Sequence, residues 1–295
     1  HSRLLLNIFL FIPSYKNIEW CDRNINSVLN QNYDHFRVIF TDDNSPDGTF
    51  DKITEIVDKS HNKDKATLIK NTDRIGALHN LYNMIHSCDD DEIILTLDGD
   101  DWLPHENVLN KLNSIYSDDV WMTYGQYQNW PGVGTGIARK IPDDIIKQNS
   151  FRSYAWCSTH LRTFYAWLFK KIRLEDFKYN GEFMAMAWDM TMMFPMLEMA
   201  GTHSKFVPDI LYVYNLANPI NDHKVNVSLQ QRLDKYVRGM PKYSKITVSN
   251  KTSIGLMVIA TGKYHKFIQG LISSADSYFL KDKNCKVTYY VFSEV

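Results

Sequence analysis

The chain has 295 residues, of which 44% are hydrophobic and 23% charged, and its formal net charge is −1. This composition is typical of a folded globular protein with one large domain, or with one domain and part of another. The balanced charge offers no electrostatic footprint for a nucleic-acid backbone, so nucleic acid is not an expected partner.

The first hundred residues alternate between strand and helix patterns. Short apolar runs predict strands, and apolar residues at helical spacing predict helices between them. Together they predict a parallel, doubly wound α/β sheet, in which ligands bind at the carboxyl ends of the strands. The predicted strands are Leu4–Ile12, Phe36–Thr41, Ala66–Lys70 and Glu92–Leu97, and the predicted helices lie at Ile18–Leu29, Phe50–Lys59 and Leu78–Ile85.

Two features of the sequence bear on the compartment. The apolar run Leu4–Pro13 is too short to cross a bilayer and lacks the flanks of a signal peptide, so we expect no transmembrane segment and a cytoplasmic location. The four cysteines are widely spaced and form no metal-binding or redox pattern. Free, buried thiols in a reducing compartment are the expectation.

The second half of the chain has a less regular pattern. We predict strands at Val120–Trp130, Leu161–Phe169 and Val207–Tyr214, and a helix at Trp188–Met199. Pro195 lies inside that helix and is expected to kink it or to shift its start.

The last sixty or so residues begin with a polar segment, Lys235–Asn250, which contains Pro241 and predicts a linker. A strand–helix–strand pattern follows, at Ile254–Ala260, Lys263–Leu280 and Val287–Phe292. One such unit buries too little apolar surface to fold alone. We therefore expect a first domain at 1–240, a linker at 241–252, and at 253–295 either the start of a truncated second domain or a segment that docks on the first.

An acidic cluster follows the fourth predicted strand: Asp98-Gly99-Asp100-Asp101. Residues i and i+2 at a strand end point the same way, so Asp98 and Asp100 face one site. Crowded carboxylates are costly without a cation, and hard oxygen ligands suit Mn²⁺ or Mg²⁺. The alternative is a solvated turn before a helix.

A second acidic cluster, Asp42-Asp43-Asn44-Ser45-Pro46-Asp47-Gly48, closes the second predicted strand. The carboxylate of Asp43 can accept a hydrogen bond from an N–H group of a ligand. The alternative is a tight turn in which Ser45 or Asp47 caps the next helix. Both readings can hold, because the first needs only Asp43.

These clusters occur in a characteristic order along the chain. Phe11–Tyr15, Ser27–Tyr33, Thr41–Ser45 and Leu97–Leu103 follow one another as they do in glycosyltransferase family 2, which the segment 4–230 resembles. The resemblance implies the GT-A fold and an inverting, metal-dependent glycosyltransferase that moves a sugar from a UDP-sugar to a glycan or another hydroxyl acceptor.

By position, the resemblance also implies roles for individual residues. Pro13, Ser14 and Tyr15 would line the nucleotide pocket, and Asp43 would contact uracil. Asp98 and Asp100 would form the DxD pair with Asp100 nearest the metal, and Asp101 would be an alternative ligand. The segment around Arg74 and Asn80 only approximates the family pattern, so no role is assigned to either residue.

Further candidates lie in the second half of the chain. Asp189, at the start of the helix at Trp188, matches the position of the family's general base. The alternative is that Asp189 only caps the helix. Glu182 or Glu198 would then be the next candidates for the base. Arg162 is a candidate phosphate clamp, and His160 a candidate contact to donor or acceptor. Related enzymes often take a third metal ligand from a histidine after this core, which here is His223.

The tail carries a second resemblance. The runs Ile254–Tyr264 and Val287–Phe292 are similar to the opening of glycosyltransferase family 6. The DxD motif of such a domain would come later in the sequence. We expect the chain to be a fragment of a protein with two transferases in tandem, and the tail alone to be inactive.

Two other functions compete with transfer. A sugar nucleotidyltransferase shares this type of sheet and metal, but it needs a Gly-rich basic loop after the first strand, where the chain has Pro13–Asn17. A nucleotide-sugar-binding module without turnover is the second alternative, and release of UDP would argue against it. The sequence does not identify the donor sugar, the acceptor or the oligomeric state.

Overall fold

The computed structural model describes residues 5–116, 119–220, 226–247, 252–260, 267–278 and 285–293, without side chains at 252–260, 275–278 and 285–293. The chain forms two compact units, His1–Lys245 and Ile246–Val295. The first contains every described residue of the candidate site.

A seven-stranded sheet forms the centre of the first unit, with strand order β3-β2-β1-β4-β6-β5-β9. All neighbouring strands are parallel except where β6 pairs with β4 and with β5. The strands are β1 (Ile8–Ser14), β2 (Phe36–Asp42), β3 (Ala66–Lys70), β4 (Ile93–Thr96), β5 (Met122–Trp130), β6 (Arg162–Tyr165) and β9 (Ser204–Asn215); a separate small hairpin contains β7 (Lys178–Tyr179) and β8 (Glu182–Phe183).

Helices cover the sheet and account for its apolar central strands. Residues Ile8–Ile12 of β1 and all of β4 are buried, as expected for parallel strands between two helical layers. Helix α1 buries Cys21, Ile25 and Val28, which are spaced to form one face. The helices of this unit are α1 (Cys21–Leu29), α2 (Thr49–Lys59), α3 (Ala77–His86), α4 (Val108–Ile115), α5 (Asp143–Lys147), α6 (Ala166–Phe169), α7 (Trp188–Ala200) and α8 (Val227–Gly239).

The strand order places the predicted site at one edge of the sheet. Strand β1 lies between β2 and β4, and all three run in the same direction. Their carboxyl ends therefore meet, and they bring together Ser14, Asp43 and the turn that begins at Asp98. This arrangement confirms the predicted doubly wound, mostly parallel α/β sheet.

The structure corrects two predicted elements. The strand predicted at Leu161–Phe169 ends at Tyr165, because Tyr165 pairs with Ile93, the first residue of β4, and none of the described strands continues the pairing beyond it. The chain turns into α6 at that point. The linker predicted from Lys235 is wrong in its first part, since α8 continues to Gly239 and buries Leu233 and Val237. Helix α7 continues through Pro195 to Ala200.

The second unit contains the predicted strand–helix–strand segment. Its elements are β10 (Thr252–Ala260), α9 (Ile268–Tyr278) and β11 (Cys285–Ser293), and the two strands pair in parallel along their whole length. Across the described residues of both units, every helix is too short or too polar to cross a membrane. Cys21, Cys88 and Cys157 are free and buried, as predicted.

Candidate active site

The acidic turn after β4 is packed tightly against the end of β1. The Gly99 N–H donates to the Pro13 carbonyl at 3.0 Å. A Cβ atom on residue 99 would overlap the Ser14 hydroxyl and would lie 2.7 Å from the Pro13 carbonyl oxygen. Only glycine fits so close to Pro13 and Ser14, which explains why residue 99 is a glycine. The same close packing places Pro13 and Ser14 directly beside Asp98 and Asp100.

Asp101 holds this turn to strand β9. It is only 1% exposed, and it accepts hydrogen bonds from the Tyr212 hydroxyl at 2.5 Å and from the Asn215 N–H at 2.7 Å. Burial, followed by the charges of Asp100 and Asp98, raises the pKa of Asp101 well above its usual value. The sequence suggested Asp101 as an alternative metal ligand, whereas its two oxygens in the structure contact β9.

Asp98 and Asp100 have different surroundings. The Tyr212 hydroxyl lies 3.5 Å from Asp98 Oδ2. Asn218 donates to Asp100 Oδ2 at 2.6 Å, and burial raises the pKa of Asp100. Each carboxylate discourages the ionisation of its neighbours, and a cation would relieve this crowding.

A complete protein cage for a metal is not found within the described residues. No group of three or more His, Cys, Asp or Glu side chains there has an arrangement that could hold an ion. Mg²⁺ usually takes one or two carboxylates from the protein and completes its shell with water and substrate phosphates. Asp98 and Asp100 fit that donor set. The predicted third ligand, His223, lies outside the described residues.

Asp43 organises the loop that follows β3. It is 4% exposed. Its Oδ1 atom accepts hydrogen bonds from Asn71 and Asn80 and from the Ile75 N–H, at 2.8 to 3.0 Å, and its Oδ2 atom accepts one from the Gly76 N–H at 2.8 Å. Burial alone would raise the pKa of Asp43, but these four hydrogen bonds outweigh it and lower the pKa. Because a carboxylate has about four acceptor directions, shared between two oxygens, Oδ2 can accept one more donor.

The same loop brings a cation to Tyr15. The Arg74 guanidinium lies 3.7 Å from the centre of the Tyr15 ring. Sequence reasoning left Arg74 and Asn80 without a role and did not consider Asn71. The structure links both asparagines to Asp43, and it joins Arg74 to a predicted pocket residue. The spacing offered a signal for the position of Asn80, because Asn80 follows Gly76 by one helical turn and therefore lies on the same side of α3.

His160, Arg162 and Asp189 form one cluster beside the end of β4. Arg162 pairs with Thr96 in the sheet and donates from Nη2 to Asp189 Oδ2 at 2.9 Å. His160 contacts the Arg162 guanidinium and stacks on Tyr212 with ring centres 4.3 Å apart. Burial, and then the charge of Arg162, lowers the pKa of His160 well below its usual value. The imidazole is therefore neutral at physiological pH.

Asp189 lies in the first turn of α7, whose N-cap residue is Ala187 without a side-chain cap. Asp189 Oδ1 accepts a hydrogen bond from the Met190 N–H at 2.8 Å, which satisfies one unpaired amide of the helix start. The predicted cap-like contact is therefore present, together with an ion pair that the sequence did not indicate. The side chain of Asp189 is 24% exposed, so it can be reached from solvent.

The two alternative bases have other environments. Glu198 is fully buried and makes a bidentate pair with Arg152, at 2.6 and 3.0 Å. A carboxylate held in this way and removed from solvent cannot reach a substrate. Glu182 is exposed on β8 and lines a cavity of about 560 Å³. Arg74, His79 and Phe183 also line this cavity, and the rings of His79 and Phe183 stack 4.2 Å apart.

This arrangement can be compared with known proteins. Residues 9–177 match the sequence profile of Glycosyl transferase family 2. The chain belongs to glycosyl transferase family 2. This match confirms the resemblance seen in the sequence. Residues 242–295 match the profile of Glycosyltransferase family 6, as the tail predicted.

A curated relative of this family 2 chain is an uncharacterized glycosyltransferase of Nostoc sp. (strain PCC 7120 / SAG 25.82 / UTEX 2576). It is 30% identical over 102 residues, which are 34% of this chain and 30% of the relative. The chain thus spans less than a third of the length of that relative.

Solved structures show the same fold. TarS of S. aureus (residues 1–349) in complex with UDP-GlcNAc has a TM-score of 0.54 at 15% identity, covering 74% of this chain and 60% of that one. The mannosyltransferase PcManGT from Pyrobaculum calidifontis, in complex with GDP-Man and Mn²⁺, has a TM-score of 0.53 at 18% identity, covering 80% and 66%. At these identities the likeness concerns the fold alone.

Proposed function

We propose that this family 2 glycosyltransferase transfers a sugar from a UDP-sugar to a hydroxyl acceptor, with inversion at the anomeric carbon and with the help of a divalent cation. The observation that carries the proposal is the packing of the Asp98-Gly99-Asp100 turn against Pro13 and Ser14. It puts two carboxylates beside the loop expected to line the nucleotide pocket. The solved neighbours are complexes with UDP-GlcNAc and with GDP-Man and Mn²⁺, which supports a nucleotide-sugar donor.

The uracil preference rests on Asp43. Its low pKa keeps the carboxylate ionised, and Oδ2 accepts one protein hydrogen bond among those described. A uracil N–H group can donate to that oxygen, while the Tyr15 ring, backed by Arg74, offers a flat face to the base. Pro13 and Ser14 would line the other side of the nucleotide pocket.

The cation would be Mn²⁺ or Mg²⁺, held by Asp98 and Asp100, with His223 as a further candidate ligand. It would supply neutralisation of the diphosphate as the leaving group departs. We assign Asp101 to positioning, because both of its oxygens bond β9. His160 and Arg162 would border the donor beside these carboxylates.

The proton of the acceptor would go to Asp189. The acceptor oxygen attacks the anomeric carbon from the face opposite the diphosphate, the bond from that carbon to the UDP oxygen breaks, and UDP leaves with the electron pair. Asp189, which is paired with Arg162 at 2.9 Å, takes the hydroxyl proton as the new bond forms.

We further propose that the first domain comprises 1–240, that 241–252 links it to the tail, and that 253–295 begins a second transferase domain in tandem. The division of the chain at Lys245 and the family 6 match support this organisation.

The test is a panel of nucleotide sugars, including UDP-sugars and GDP-mannose, assayed for nucleotide release with Mn²⁺ and again with EDTA. We expect UDP release from at least one UDP-sugar, and its loss with EDTA and in the Asp98→Asn, Asp100→Asn double variant. Release of GDP alone would overturn the uracil assignment, and equal release with EDTA would overturn the metal role. Binding without release from any donor would favour a module without turnover.

A further inference from the structure

A second, larger cavity lies away from the acidic turn. Its volume is about 770 Å³, which is within the size range of ligand pockets. One wall is the segment Arg173–Tyr179, and the other is the end of α8 with the residues that follow it. None of the described residues that are placed in the transfer reaction lines this cavity.

The α8 wall presents cations and an aromatic ring. Arg232, Lys235, Tyr236 and Gly239 are spaced so that they share one face of the helix. All four are exposed, and neither Arg232 nor Lys235 has an ion-pair or hydrogen-bond partner among the described residues. No atom of the described residues lies within 4 Å of the position that a Cβ atom on Gly239 would take, so the described part of the cavity is open at that point.

The opposite wall adds a second tyrosine and a carboxylate that is already paired. The rings of Tyr179 and Tyr236 meet edge to face with centres 4.9 Å apart. Asp176 is already neutralised, because it pairs with Arg173 at 2.9 Å and accepts a hydrogen bond from the Tyr243 hydroxyl. Of the remaining charged side chains in the lining, Arg232 and Lys235 are positive and Glu175 is negative, so the cavity has one net positive charge. This field favours an anion, and tyrosine rings suit the apolar face of a sugar ring.

The chain connects this cavity to the proposed reaction. The segment 173–183 contributes Arg173 and Tyr179 to the larger cavity, and Lys178 and Phe183 to the smaller cavity near Arg74. It then leads into α7 and Asp189. An oligosaccharide bound along this segment would extend from the larger cavity toward the Tyr15–Arg74 pair.

We infer that the larger cavity binds an acidic saccharide, and that the acceptor is an oligosaccharide that carries carboxylate or phosphate groups at a distance from the reacting hydroxyl. This inference rests on the proposed transfer function. Arg232 and Lys235 attract the acidic group, and Tyr179 and Tyr236 receive a sugar ring.

The experiment measures binding of hexagalacturonate, maltohexaose and inorganic phosphate to the full chain by titration calorimetry at low salt. We expect hexagalacturonate to bind at least ten-fold more tightly than either of the others. The Arg232→Glu, Lys235→Glu double variant and the Gly239→Phe variant should each weaken its binding at least ten-fold. The matched control is Lys63→Glu with Lys205→Glu, which makes the same charge change at two exposed lysines and should leave binding unchanged.

Three results would overturn the inference. Equal binding of maltohexaose would show that charge does not contribute, and equal binding of phosphate would reduce the cavity to an anion site. Binding unchanged in both cavity variants would place the saccharide elsewhere. Metal-dependent binding of UDP is measured on the same variants and should be unaffected, so a failure of the transfer proposal is recognised separately.

Discussion

The ion pair between Arg162 and Asp189 allows the chemical role of Asp189 to be separated from its structural role. The change Asp189→Asn keeps the shape of the side chain and its contact to the Met190 N–H, but it removes the basicity. It also removes the counter-charge of the Arg162 guanidinium, which is 3% exposed. The buried Nε atom of that guanidinium already lacks a hydrogen-bond partner among the described residues. We therefore expect two distinct losses from one substitution.

The two losses differ in size. Removing one partner of a fully buried pair costs about 3–5 kcal/mol. Since the Asp189 side chain is 24% exposed and water can partly replace it, we expect the free energy of unfolding to fall by about 1–3 kcal/mol. Loss of a positioned base should lower the transfer rate by roughly 10²–10⁴-fold. UDP binding should change little, because Asp43 and the acidic turn are untouched.

A second substitution separates these effects. Arg162→Met in the Asp189→Asn background removes the unpaired cation, so stability should recover while transfer stays low. Glu198→Gln is the matched control: it breaks the more deeply buried pair with Arg152 and should destabilise the fold more, yet leave the rate per folded molecule unchanged. The measurements are urea unfolding and transfer rate at saturating donor. Recovery of transfer together with stability in the double variant would refute the role of Asp189 as the base.

Three further predictions concern the donor side of the site and its pH response. Asp43→Asn should weaken UDP binding by about 1.5–3 kcal/mol, measured by calorimetry, because a charged acceptor is lost; an unchanged dissociation constant contradicts the uracil contact. Gly99→Ala should lower the free energy of unfolding by about 1–3 kcal/mol through overlap with Ser14 and Pro13, whereas Gly239→Ala, with open space around it, should be neutral or stabilising; equal melting temperatures would contradict the close packing. His160 stays neutral in the folded protein but gains a proton below about pH 6.5 in the unfolded chain, so its contribution to stability should be lost as the pH falls from about 7 to 5. The His160→Gln variant should therefore show a flatter dependence of the free energy of unfolding on pH in that range. An unchanged slope would show that the imidazole is protonated in the fold.

Much of the fold could be predicted from local pattern. Apolar runs and helical spacing predicted the alternation from β1 to β4, and the strand at Ala66–Lys70 has the bounds that were predicted. The elements are predictable because each is specified by residues close together in the chain. The prediction was less accurate after Val120, where β6 runs antiparallel and ends at Tyr165, since the available length of β4 decides that end.

The sequence by itself determined the family and the edge of the sheet at which the acidic turns meet, because parallel strands joined by helices must bring their carboxyl ends together. Only the tertiary structure decided what each carboxylate contacts. Tyr212 lies 111 residues from Asp101, and Arg162 lies 27 residues from Asp189. Partners so distant leave no periodic signal in the chain. Burial and hydrogen bonding, which exist only after packing, assign Asp101 to β9, Asp43 to its loop and Asp189 to Arg162.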